Sequence, residues 1–62
     1  MDVKTEIKDD IEFCIQRAAH CQTMVERAFA VNDLELVAEW IDSATGWLDL
    51  MDELRKELAH AR

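Results

Sequence analysis

Two cysteines, two histidines, two tryptophans and an acidic row are the residues of this chain whose types could do chemistry. Cys14 and Cys21 stand seven apart, which on a helix puts their Cα atoms about 10.5 Å from each other, beyond disulfide reach. An interchain bridge or a redox-sensing thiol is the functional alternative, and small apolar filler in a reducing compartment is the plain one. Cys14, His20 and Cys21 lack the close paired spacing of zinc modules. Glu57 and His60 have the i, i+3 spacing of carboxylate-bridged di-iron bundles, but such sites need a second pair and further inward glutamates. No metal and no cofactor is therefore expected. Nor is there a serine–histidine, cysteine–histidine or glycine-rich phosphate arrangement, so no enzymatic activity is expected either.

Trp40 and Trp47 carry a different kind of chemistry. Tryptophan is a common interface anchor, and the question is whose chain covers it. The acidic row of Glu35, Glu39, Asp42, Asp49 and Glu53 reads as a solvated helix face or as a docking surface for a basic partner. Gly46 lies on that row, mid-helix, and costs about 1 kcal/mol relative to alanine. It is a notch for a partner's backbone, a tolerated exposed glycine, or a break in the helix between Ser43 and Gly46.

The elements that position these residues are helices. There is no proline and a single glycine, half the residues are apolar and a third charged, a composition of nearly continuous helix. A first helix is expected over about 3–30, capped by Asp2 or Thr5. Its seam is Ile7, Ile11, Cys14, Ala18, Cys21, Val25 and Ala28, in unbroken 4-3 spacing, with Ile15, Phe29, Met24 and Val31 flanking it. A turn at 31–33 follows. Asn32 and Glu35 have the spacing of a capping box, and Val31 with Leu36 that of a hydrophobic staple. A second helix is expected over about 33–61. In a heptad with Leu34 at a, row a holds Leu34, Ile41 and Leu48, and row d holds Val37, Ala44, Met51 and Leu58. Row g holds Trp40, Trp47, Leu54 and Ala61, and Leu36 and Leu50 at c widen the apolar arc to roughly half the circumference.

So short a turn makes the helices antiparallel. Folding about residues 32–33 then predicts the layers Ala28–Val37, Val25–Ile41, Cys21–Ala44, Cys14–Met51, Ile11–Leu54 and Ile7–Leu58. The underfilled Cys21–Ala44 layer invites a tryptophan from this or another chain.

Size argues for association. A compact domain of 7.2 kDa buries roughly 6,000 Å², ~3,500 Å² of it apolar. That is worth about 90 kcal/mol at ~25 cal/mol per Å² and is matched by an ordering cost of about 90 kcal/mol. A monomer thus lands near zero, and a homodimer is expected. Its interface is assigned to Trp40, Ala44, Trp47, Leu50, Met51, Leu54, Ile15 and Phe29.

The chain resembles the Rop-type helical hairpin: about sixty residues, two antiparallel helices, a short turn and a seam rich in small residues. That resemblance is architectural and implies an all-α hairpin pairing into a four-helix bundle. Proteins of that type include a modulator of an RNA–RNA interaction. RNA or DNA binding through the first helix is accordingly one alternative function. The net charge of −7 opposes it, since Lys4, Lys8, Arg17 and Arg27 are interrupted by Asp2, Glu6, Asp9, Asp10 and Glu12. No base lies between Arg27 and Arg55, and the seven acids of that interval equal the whole net charge. Mimicry of a nucleic-acid backbone by the acidic row is another alternative. The leading expectation is a small non-enzymatic regulator or adaptor that binds an unidentified protein through Glu35, Glu39, Asp42, Gly46, Asp49 and Glu53. The charged N-terminus reads as a true start without a secretory leader, and no apolar run spans a membrane, so a cytoplasmic location is expected.

Overall fold

The computed structural model describes residues 2–61. Helix α1 is Val3–Ala30 and helix α2 is Leu34–His60. Asp2 caps α1, its carboxylate accepting from the Thr5 backbone N–H at 2.8 Å, which satisfies one of the amide donors that every helix start leaves open.

The turn departs from the capping-box expectation. Asn32 does not cap α2. It sits at φ 57° in the left-handed region, which asparagine tolerates better than most residues. There it closes α1: the Asn32 N–H donates to the Phe29 carbonyl at 3.0 Å and the Asp33 N–H to the Ala28 carbonyl at 2.9 Å. This 5→2 and 6→1 pair is a Schellman motif. Asp33 then becomes the cap of α2, accepting from the Leu36 N–H at 3.1 Å. The start of α2 thus falls one residue later than the capping box requires. Val31 and Leu36 no longer occupy staple positions, and Val31 is exposed. Helix α2 runs unbroken through Gly46, so the expected alternative of a break there is excluded.

The two helices form a single layer, an all-α hairpin measuring 48 × 16 × 10 Å. Ten ångströms is the thickness of one helix. The radius of gyration is 14.4 Å, against about 11 Å for a compact domain of this length. Among the described residues only Ile7, Cys14, Cys21 and Ala28 are buried, all on one row of α1, and no residue of α2 is.

The register of α2 corrects the expected layering. Half-buried residues run Leu36, Val37, Trp40, Ala44, Trp47, Met51, Leu54, Leu58 and Ala61, so beyond the first turn rows d and g face α1. Row a stands on the shoulder: Leu34, Ile41 and Leu48 are 62%, 48% and 49% exposed. The Val25–Ile41 layer is therefore not a core layer. The reason lies in area. An indole offers more apolar surface than a leucine or isoleucine, and the small central row of α1 lets the axes approach while both indoles lie along its edge. Turning row g inward covers Trp40 and Trp47 and leaves row a outside.

Candidate interaction surfaces

The hairpin has two broad sides and an outer acidic edge. On the first side α1 presents Phe13, Arg17 and His20, and α2 presents both tryptophans. The Phe13 and Trp47 rings meet edge to face with centroids 5.6 Å apart. The Arg17 guanidinium lies 5.8 Å from the centre of the Trp47 ring, within cation–π range. His20 meets Trp40 edge to face at 5.7 Å. Both indoles are half-buried by their own chain. The Trp40 Nε1 is buried and has no hydrogen-bond partner among the described residues.

On the second side the two helices border an open groove of about 630 Å³. Its α1 wall includes Ile15, Ala18, Ala19 and Val25, and its α2 wall Ile41, Ala44, Leu48 and Met51. Polar residues there are few. The Thr45 hydroxyl donates to the Ile41 carbonyl within its own helix at 3.0 Å. Arg55 closes the groove toward the chain termini. Ile15 and the row-a residues Ile41 and Leu48 stand about half exposed along it.

The residues assigned to an interface from sequence are thus divided. Ile15, Ala44 and Met51 line the groove. Trp40, Trp47 and Leu54 belong to the seam within the hairpin, half-buried, and Leu50 is exposed on the row beside them. Phe29 is exposed near the turn. Sequence reasoning missed two things. One is the cover that Phe13, Arg17 and His20 give the indoles. Their i, i+4, i+7 spacing along one edge of α1 was a usable signal. The other is the groove, foreshadowed by the small Ala18–Ala19 pair and by a row of large residues in excess of what one seam needs.

The acidic residues Glu35, Glu39, Asp42, Asp49 and Glu53 are all exposed on the outer edge of α2. Gly46 lies among them, and a methyl group added there meets nothing within 4 Å. The one ion pair among the described residues is Asp52–Lys56, one helical turn apart at 3.4 Å.

Chemistry-bearing residues do not converge. Among the described residues no group of three or more His, Cys, Asp or Glu side chains has metal-binding geometry. Glu57 and His60 border a shallow depression with Val3 and Ile7 at the open end of the hairpin. Cys14 and Cys21 are free thiols, 2% and 3% exposed. Among the described residues no helix is long and apolar enough to cross a membrane. Comparison with known protein families, curated proteins and solved structures finds no match.

Proposed function

We propose that the protein is a small, non-enzymatic helical adaptor or regulator that works as a homodimer and binds another protein. One observation carries this reading: each helix has a single neighbour, while the apolar arc of α2 continues past the seam to Ile41 and Leu48. A single layer of two helices covers only the middle of such an arc, and a second layer covers the rest.

The dimer supplies stability, and the acidic edge supplies recognition. Glu35, Glu39, Asp42, Asp49 and Glu53 lie on a rigid helix, pointing away from both broad sides, so pairing of two hairpins leaves them open. The chemistry that fits them is a basic protein segment, drawn by long-range attraction and held by rim contacts. Gly46 lets a partner backbone approach between Asp42 and Asp49 more closely than any other residue would.

Light scattering at micromolar concentration tests the assembly, with about 14 kDa expected from a chain of 7.2 kDa; a folded monomer refutes it. Charge reversal at Asp42 and Asp49 tests the edge. Partner binding is expected to weaken while the mass stays that of the dimer. Unchanged affinity for every partner would remove the acidic edge from the proposal.

A further inference from the structure

Building on the homodimer proposed above, we infer that the second copy covers the groove side, and that the two hairpins stack antiparallel, turn over open end. Three observations lead there.

The first is area. The chain exposes 4865 Å², where a compact monomer of its mass exposes about 4,100 Å². The excess, roughly 700 Å², is close to the ~800 Å² per partner that a stable interface removes.

The second is shape. The aromatic side is already occupied by its own Phe13, Arg17 and His20. The groove side has projections and hollows on one surface: Ile15, Ile41 and Leu48 project, while Ala18, Ala19 and Ala44 are small. A surface carrying both is complementary to a copy of itself about a two-fold axis.

The third is charge, and it fixes direction. By helical register Lys8 and Glu26 share one row of α1 on the groove margin, Lys8 near the chain termini and Glu26 near the turn. The terminal half of the groove side also carries Lys4 and Arg55, with Glu12 and Asp52, while the turn half carries Glu26 and no base. The midpoint of Lys8 and Glu26 is position 17, at the level where Arg17 packs on Trp47. A two-fold axis through that level, perpendicular to the helices, brings Lys8 to Glu26 of the partner subunit. A parallel stack instead sets the basic terminal ends together.

Mixed cross-linking reads this arrangement. Lys8→Cys and Glu26→Cys replace exposed side chains, so both variants fold. Wild type, with its buried Cys14 and Cys21, serves as the control. Mildly oxidised, an equimolar mixture is expected to give a covalent dimer of about 14 kDa, and neither variant alone is. In the antiparallel stack two copies of position 8 lie ~27 Å apart along the helix axis, out of disulfide range. Linked dimers from either single variant alone would overturn the inference. A non-covalent dimer of about 14 kDa without the mixed link would leave the homodimer standing and place its interface elsewhere. A wild-type mass of 7.2 kDa would overturn both. Charge exchange gives an independent reading: Lys8→Glu is expected to weaken Kd about tenfold, and adding Glu26→Lys to restore it. No recovery in the double variant would count against the antiparallel stack.

Discussion

The two broad sides of this hairpin are built from the same two helices and meet opposite fates. On the aromatic side, α2 offers its largest side chains, and α1 answers with a ring, a guanidinium and an imidazole that reach over them. On the groove side, α2 offers Ile41 and Leu48 and α1 answers with Ala18 and Ala19, too short to reach. A two-helix layer has only enough long side chains to close one side, and this sequence places them where the indoles are. The lesson is that residue size, not hydrophobicity alone, decides which side of an amphipathic hairpin closes on itself.

Substitutions separate the two sides by the kind of change they cause. The largest effect is expected from Leu48→Asp. On the proposed assembly it places a carboxylate in the middle of the covered groove, and the dimer is expected to weaken by more than a hundredfold in sedimentation equilibrium. Its melting temperature should then lose any dependence on protein concentration. A variant that remains dimeric would show that the groove is not the covered side.

Trp47→Ala follows. It removes a half-buried indole and the partner of both Phe13 and Arg17, and urea unfolding is expected to report a loss of about 3 kcal/mol. Because those contacts lie within one chain, the loss should be the same at low and high protein concentration once dimer dissociation is accounted for. A loss that appears only in the associated protein would reassign Trp47 to an interface between chains.

Gly46→Ala belongs to neither side and calibrates both. The glycine is helical, exposed and has open space around its Cα, so alanine is expected to stabilise by about 1 kcal/mol. If the variant is more stable yet binds the acidic-edge partner less well, the notch is functional; equal binding makes the glycine merely tolerated. Arg17→Gln tests the cover on Trp47. An exposed cation–π contact is worth ~0.5–1 kcal/mol, and loss of the guanidinium is also expected to shift the emission of that indole.

Much of the hairpin was legible in the sequence because helix boundaries obey local rules. The 4-3 spacing of α1 found its buried row, and Asp2 was recognisable as a cap. The turn was misjudged by one residue because Asn32 serves two roles equally well by type, an N-cap or a left-handed closure. The backbone of α1, still owed acceptors for its last carbonyls, takes it for the second. The rotation of α2 was not legible, since rows a, d and g are all apolar and hydrophobicity does not rank them. Only the size of the indoles does, and only once the small row of α1 is seen to face them. The same ambiguity hid the groove, because Leu48 looked like core. The proposed interface residues were drawn from both sides for that reason.

The smallest expected effect lies at the helix ends, outside both sides. Asp2 is fully exposed, and its carboxylate is held below its ordinary value of 3.8 by the hydrogen bond from the Thr5 backbone N–H, with the Thr5 hydroxyl adding to it. A carboxyl whose pKa is lowered by folding stabilises the fold fully above its unfolded value, and that contribution fades as the pH falls through the lowered value. Thermal melts of wild type and Asp2→Asn are therefore expected to differ in pH dependence only below about pH 4. There the wild type loses the charged form of its cap and the asparagine variant has none to lose. Tryptophan emission should be the same in both, since neither Trp40 nor Trp47 packs against the first turn of α1. A pH-dependent difference in emission between the two proteins would mean that the N-terminal turn and the aromatic side melt together, and the hairpin would then have to be treated as one cooperative unit instead of two separable sides.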